Sequence, residues 1–206
     1  MKRVYVASVL SLILFGCGGS SGSSGTPNPA PSNNHVQQAT QAVQQAVAPE
    51  PTTLNDAIAL FKPEMSDVSE SISPGALSLT RWSMTHLKWD ELVALPTTTK
   101  PLVMKDSDEQ RGKLICVTGR IIQISGEKVG DSKVYAGGMM RGYSDIYRFL
   151  AVKSTGNITD ESSAKFCGVV IGKMDYANSA GGVAHAIQLV GMFDLPENTG
   201  KPATKK

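Results

Sequence analysis

The sequence predicts a mainly β domain preceded by short helices, an α+β fold class. Apolar residues between positions 54 and 93 recur at helical spacing. From position 113 onward, runs rich in β-branched and aromatic residues alternate with turn residues. Glycines lie inside several of these runs, as is typical of strands that bend or bulge. We therefore place a helical and irregular part at 54–112 and a β part at 113–196.

The first helix is predicted from four apolar residues at spacing i, i+3, i+4 and i+7: Leu54, Ala57, Ile58 and Phe61. Thr52 or Thr53 can cap its start, and Pro63 ends it. A turn is predicted at residues 73–75, which read Ser-Pro-Gly. Beyond it, apolar residues from Leu79 to Val93 predict either one continuous helix or a break at Thr85 with a helix over about 88–94. The polar stretch 97–112 is expected to be a connection.

Five strands are predicted in the β part. A polar insert at 155–163 separates the third from the fourth, and a glycine-rich turn at 178–182 joins the fourth to the fifth. The five predicted strands span 114–124, 133–136, 146–152, 164–174 and 183–193.

Five bent strands with this insert resemble the OB-fold, a small five-stranded barrel. The resemblance covers about 113–193 and implies a long first strand that bends and pairs with the fourth. It also implies binding of an oligosaccharide or a nucleic acid. A small β-sandwich or another small barrel is the alternative architecture.

The amino terminus carries a short positive segment, Met1-Lys2-Arg3, and then the apolar residues 4–15. This apolar run is too short for a stable bilayer-spanning helix, and it ends in Leu14-Phe15-Gly16-Cys17. The order resembles the signal peptide and lipobox of bacterial lipoproteins. The resemblance implies a signal peptide at 1–16, cleavage between Gly16 and Cys17, and acyl chains such as palmitate on Cys17.

The same resemblance predicts where the protein resides. Gly18 follows Cys17, so the acidic residue that retains enteric lipoproteins at the inner membrane is absent. We expect a lipid-anchored protein of the bacterial cell envelope, at the outer membrane and facing the periplasm or the cell surface. Residues 17–53 are of low complexity and predict a disordered tether, and residues 197–206 predict a disordered basic tail.

Cysteine usage predicts one disulfide. The chain has 3 Cys, and lipidation of Cys17 leaves Cys116 and Cys167 in an exported protein. An even remainder in an oxidising compartment indicates a bond between the two. The OB resemblance would place them on neighbouring strands. The alternative is a pair of buried free thiols that act as small hydrophobes.

The charge balance argues against a polyanionic partner. Residues 54–196 contain 15 Lys and Arg against 16 Asp and Glu, interspersed along the chain. A nucleic-acid-binding domain needs a basic groove or stripe. We therefore expect no nucleic-acid partner.

No convergent set of catalytic or metal-ligating residues is visible, so we predict a non-catalytic binding or structural module without a cofactor or metal. Its partners would be membrane lipid, through Cys17, and an envelope protein or glycan. Contact residues are expected in two loops of the β part: Ser125, Lys128, Tyr176, Asn178 and Ser179.

The alternative function is a cell-envelope enzyme. It would use His86 or His185 with a nearby carboxylate such as Asp90 or Asp145. Histidine is the side chain whose ordinary pKa best suits proton transfer near neutral pH.

Overall fold

The computed structural model describes residues 50–178 and 181–200. The signal peptide with Gly16 and Cys17, the tether up to residue 49, Ser179, and residues 201–206 of the tail lie outside the described residues. Among the described helices, none combines the length and apolar character that crossing a membrane takes.

Helix α1 spans Leu54–Phe61, as predicted, and continues into a 3₁₀ turn at Lys62–Glu64. Thr53 is its N-cap, because the Thr53 hydroxyl accepts a hydrogen bond of 3.2 Å from the Asp56 backbone N–H. Leu54 and Ala57 are buried and direct this helix toward the core.

Helices α2 and α3 span Pro74–His86 and Trp89–Val93. The predicted turn at 73–75 is therefore wrong: Ser73 is the N-cap and Pro74 occupies the first turn, where its missing N–H costs nothing. Glycine at position 75 lets the start of α2 lie against the backbone at the end of α1, since a Cβ there would lie 2.3 Å from the Phe61 carbonyl oxygen. The helical break falls after His86 rather than at Thr85, with helix on both sides of it.

The stretch predicted as a connection contains two short helices, α4 at Lys100–Lys105 and α5 at Ser107–Gln110. Asp106 caps α5, because its carboxylate accepts a hydrogen bond of 3.0 Å from the Glu109 backbone N–H. Val103 of α4 is fully buried against the strands. This stretch is polar because its residues cap the two short helices and lie on their exposed faces.

The structure confirms a mainly β domain with helices. All five predicted strands are present, most of them longer than expected, and an additional two-residue strand precedes them. A final short helix, α6, spans Pro196–Thr199. The six strands are β1 Val68–Ser69, β2 Leu114–Val129, β3 Ser132–Arg141, β4 Asp145–Ala151, β5 Ser163–Ala177 and β6 Val183–Phe193.

The five long strands pair in a closed ring. Strand β2 pairs antiparallel with β3, and β3 pairs antiparallel with β4. Strand β4 pairs parallel with β6, β6 pairs antiparallel with β5, and β5 returns to β2. Strand β1 lies outside the ring and pairs parallel with β5.

Successive side chains of a strand point to opposite faces of the sheet, and two cores result. The inner core contains Phe149, Phe166 and Phe193, whose ring centroids lie between 5.1 and 5.3 Å apart. The outer core lies where α1, α2 and α3 cover part of the outer face of the ring. Leu150 and Val190 contribute to this outer core.

Bulges interrupt two of the strands, as the internal glycines predict. In β5 the register shifts between Val170 and Gly172, and Gly172 has φ +148°. A Cβ on Gly172 would lie 2.9 Å from the Ser66 carbonyl oxygen, so glycine allows the segment before β1 to approach β5. In β2 the shift lies between Ile121 and Gln123, close to Gly119.

The predicted disulfide between Cys116 and Cys167 is confirmed. The two cysteines lie directly opposite each other in the β2–β5 ladder, with their Cα atoms 4.0 Å apart. Cys167 is fully buried, whereas Cys116 is exposed. The bond therefore joins the first and the fourth long strands at the outer face of the ring.

Candidate binding groove

A groove crosses the outer face of the ring beside the helices. It consists of two hollows of about 380 and 440 Å³ that share Glu70, Arg148 and Met174 in their linings. Strands β3, β4, β5 and β6 form its floor, and the segment that follows β1 forms one wall. Its apolar lining includes Ile72, Leu77, Ile171, Ile122 and Ile146.

Two polar side chains occupy neighbouring positions on this floor. Arg148 of β4 and Gln188 of β6 are register partners. The residues on either side of them in the same row are glycines, Gly138 of β3 and Gly172 of β5. Because the flanking positions carry no side chains, the guanidinium and the amide are the polar groups of this row.

Arg148 is a half-buried cation that forms no ion pair or hydrogen bond with residues 50–178 or 181–200. Other enclosed cations of the domain differ in this respect. The side chain of Arg111 is 10% exposed and contacts the carboxylates of Asp67 and Asp108. Lys100 lies 2.7 Å from a carboxylate oxygen of Asp145. Partial burial of an unpaired charge costs solvation energy, so Arg148 favours an anion in the groove.

Gln188 presents an unsatisfied acceptor in the same place. Its side chain is 5% exposed, and its Nε2 donates a hydrogen bond of 2.8 Å to the Ser71 carbonyl oxygen. That bond fixes the orientation of the amide. The Oε1 atom has no hydrogen-bond partner among the described residues. The atom is buried and a ligand in the groove does not reach it, so it costs the folded protein about 1–3 kcal/mol.

Asp67 holds the wall of the groove against β5. Its carboxylate accepts hydrogen bonds from the Ser107 hydroxyl at 2.7 Å, the Arg111 guanidinium at 2.9 Å and the Lys173 backbone N–H at 2.9 Å. Burial alone would raise the pKa of Asp67, but these donors outweigh it and hold the pKa below its ordinary value of 3.8. The contacts of this charged carboxylate therefore hold the start of the wall against β5.

The next part of the wall carries backbone strain. Glu70, which lines both hollows, has φ +56°, in the left-handed region that non-glycine residues rarely adopt. Its backbone N–H donates to the Asp175 carbonyl oxygen at 3.2 Å. Strain of this kind costs about 1–3 kcal/mol and persists where the surroundings impose it, often at ligand sites.

The loop residues predicted from the sequence lie in different places. Ser125 and Lys128 belong to the paired arm of β2 rather than to a loop, because this strand continues to Val129, and neither lines the groove. Tyr176 lines the second hollow. Asn178 closes the β5–β6 turn, where its Oδ1 accepts from the Gly182 backbone N–H at 2.9 Å.

The two histidines differ in their surroundings. His86 is exposed, stacks on Trp82 at 5.2 Å, and has Nδ1 within 2.8 Å of the Thr85 hydroxyl oxygen. His185 has Nδ1 within 2.6 Å of a carboxylate oxygen of Asp175, its register partner across the β5–β6 hairpin.

The carboxylates that we expected beside these histidines have other places. Asp145 pairs with Lys100, and Asp90 lies in the first turn of α3. Among the described residues, no group of three or more His, Cys, Asp or Glu is placed to hold a metal ion.

Sequence reasoning missed Arg148 and Gln188. A signal was present, because Gln188 is the single polar side chain in the apolar run 186–190 and Arg148 lies between two aromatic residues. A polar residue inside an apolar strand faces either solvent or a site, and the sequence does not distinguish these.

Comparison with known proteins yields no match to a family model, a curated protein or a solved structure.

Proposed function

We propose that the protein is a non-catalytic binding module, anchored in the bacterial outer membrane through lipidated Cys17, whose ligand site is the groove at Arg148. The ring of five strands is, in this proposal, an OB-type barrel. Its long first strand, β2, pairs with the fourth, β5, as the OB-fold requires. Ligands of OB-folds bind over the second and third strands, which here are β3 and β4 and contribute to the floor of the groove.

The observation that carries the proposal is the half-buried cation on the groove floor, Arg148. Its guanidinium pairs with none of the carboxylates in residues 50–178 and 181–200. Folding alone does not favour such a group, because it lowers the stability of the free protein. An anionic ligand that pairs with Arg148 would account for its presence.

The amino-terminal sequence supports the anchor and the compartment. Acyl chains on Cys17 would hold the protein in the membrane, since two or more chains bind stably where one does not. The groove would then be available to a soluble or cell-wall-bound partner in the envelope.

A stability comparison between two arginines tests the proposal. The Arg148→Met variant keeps the length of the side chain and removes an unpaired charge, so its free energy of unfolding should be unchanged or higher by up to about 1 kcal/mol. The control, Arg111→Met, leaves the paired carboxylates of Asp67 and Asp108 without their cation. It should lose about 2–4 kcal/mol.

Urea unfolding of both variants decides the outcome. If Arg148→Met were destabilised as much as Arg111→Met, Arg148 would be structural and the proposal would fail. As a second measurement, small carboxylates and phosphates should shift the backbone amide NMR signals of Gly137 and Gly138 in the wild type but not in Arg148→Met.

The contact between His185 and Asp175 favours a second candidate, an envelope hydrolase. A carboxylate beside an imidazole orients the ring and stabilises its protonated form, as in acid–base catalysis. Ester hydrolysis by the purified protein that His185→Ala abolishes would support this activity. Hydrolysis that survives in the variant would exclude a role for His185.

A further inference from the structure

Glu70 places a carboxylate on the wall of the groove. We infer that Glu70 sets the charge specificity of the groove, an inference that rests on the proposed function. A ligand with one anionic group pairs with Arg148 and is accepted. A ligand with a second anionic group beside the first meets the Glu70 carboxylate and is rejected.

Backbone conformation singles out Glu70. Among the described residues other than glycine, three have a positive φ angle: Glu70 at +56°, Lys153 at +67° and Glu161 at +68°. The Lys153 ammonium donates to two carbonyl oxygens at the end of α2, at 2.9 and 3.1 Å. Glu161 pairs with Arg120. The Glu70 side chain has no hydrogen bond or ion pair with residues 50–178 or 181–200, so no polar contact within this part of the chain accounts for a glutamate there.

The fold fixes the backbone at position 70 and leaves the choice of side chain open. The Glu70 backbone N–H donates to the Asp175 carbonyl oxygen at 3.2 Å, and the carbonyl oxygen of the next residue, Ser71, accepts from Gln188 Nε2 at 2.8 Å. Glycine would adopt this left-handed conformation without the steric cost that glutamate carries. Glutamate therefore lowers the stability of the free protein, and the groove that it lines is where its charge can act.

The groove contains one charge of each sign. Arg148 and Glu70 line both hollows, and of the described residues that line them these two alone are charged. An anionic group paired with Arg148 neutralises the cation. A second anionic group would then lie near a carboxylate that has no counterion, and like charges at such a site repel each other. One unit charge at about 4 Å in well-hydrated surroundings changes an affinity about 5-fold.

Three probes with permanent charges test this inference on the purified full-length protein. Benzenesulfonate carries one negative charge, benzene-1,3-disulfonate carries two, and 3-(trimethylammonio)benzenesulfonate carries one charge of each sign. Their aromatic ring suits the apolar hollows, and none of their charged groups titrates near neutral pH. Dissociation constants are measured from the backbone amide NMR signal of Gly137, which lines the first hollow.

The Glu70→Gln variant keeps the shape of the side chain and removes its charge. Relative to benzenesulfonate, the disulfonate should bind this variant about 5-fold better than it binds the wild type, and the zwitterion should bind it about 5-fold worse. The control is Glu161→Gln, which removes the charge of another left-handed glutamate, one that lies outside the linings of both hollows. It should leave both ratios unchanged.

Stability measurements separate this role from a structural one. Glu70→Gln should leave the urea midpoint close to that of the wild type. Glu70→Gly should not lower the midpoint, because relief of the steric cost offsets the extra freedom of glycine in the unfolded chain, and it should change both ratios as Glu70→Gln does. If Glu70→Gln lowered the midpoint as far as Arg111→Met does, Glu70 would be structural and the inference would be wrong.

The remaining outcomes separate this inference from the proposed function. Equal ratios in the wild type and Glu70→Gln, with probes that still bind at Gly137, would overturn the inference and leave an anion site at Arg148. Binding of benzenesulfonate to Glu70→Gln alone would mean that Glu70 excludes every anion, and selection by the number of charges would be wrong. If no probe shifted the Gly137 signal in either protein, the proposed function would fail and this inference with it.

Discussion

The Asp67→Asn substitution should destabilise the domain through loss of charge, and its effect should depend on pH. Three donors and the Lys173 ammonium at 3.4 Å surround the carboxylate. Hydrogen bonds to a charged group contribute about 1.5–3 kcal/mol each when protected from water. The Asp67 side chain is 37% exposed, so solvent screens much of this energy. We expect a total loss of about 2 kcal/mol near pH 7.

The direction of the pH dependence follows from the lowered pKa of Asp67. Its stabilising contribution is complete above the ordinary pKa of 3.8 and disappears as the pH falls through the lower pKa of the folded protein. Protonated aspartic acid and asparagine are then nearly equivalent. The difference in stability between wild type and Asp67→Asn should therefore be constant from pH 7 to about 5 and shrink toward zero below pH 3.8.

Urea unfolding at pH 7, 5 and 3 measures this difference. Asp131→Asn, at the exposed turn between β2 and β3, is the control and should change stability by less than about 0.5 kcal/mol at every pH. Equal destabilisation of Asp67→Asn at pH 3 and pH 7 would refute the reasoning, because the cost would then come from shape rather than charge.

Three further changes test other features of the domain. Replacing Cys116 and Cys167 together with Ala should lower the free energy of unfolding by about 2–4 kcal/mol, since the bond closes a loop with sequence separation 51; an unchanged urea midpoint would contradict this. Gly191→Ala should prevent stable folding, because its Cβ would lie 2.0 Å from the Cys167 carbonyl oxygen. Circular dichroism should show the loss of structure. The control, Gly130→Ala, should fold, because a Cβ there meets open space. Cys17→Ser should release a folded domain from the membrane fraction, and retention there would argue against lipidation.

Elements with a strong local pattern were predictable from the sequence. The four apolar residues of α1 and the alternation in the strands gave correct positions because periodicity reports directly on which face is buried. The disulfide followed from counting cysteines in a chain that the sequence predicts to be exported, and its place on the first and fourth long strands followed from the OB resemblance. The turn at 73–75 was mispredicted because Ser-Pro-Gly is compatible with both a turn and a helix start. Contact of Gly75 with the preceding backbone decides between them.

The groove could not be predicted in the same way. Arg148 and Gln188 are 40 positions apart, and the parallel pairing of β4 with β6 alone makes them neighbours. Parallel pairing across an intervening strand leaves no turn signal in the sequence, unlike the hairpin at 178–182. Strand β1 has two residues, too few for an alternating pattern, and its position depends on Asp67 and on the bulge at Gly172.

The disulfide determines which side chains of β2 and β5 face inward. Because side chains alternate, a shift of one residue between these strands would move Phe166 from the inner core to the surface. A covalent bond between directly opposed residues prevents every such shift. Formation of the disulfide therefore fixes which side chains of β2 and of β5 face the inner core. Three cysteines allow three different pairings. If Cys17 carries the acyl chains, as proposed, its sulfur is already part of a thioether. The pairing that remains, Cys116 with Cys167, is the one that keeps Phe166 in the inner core.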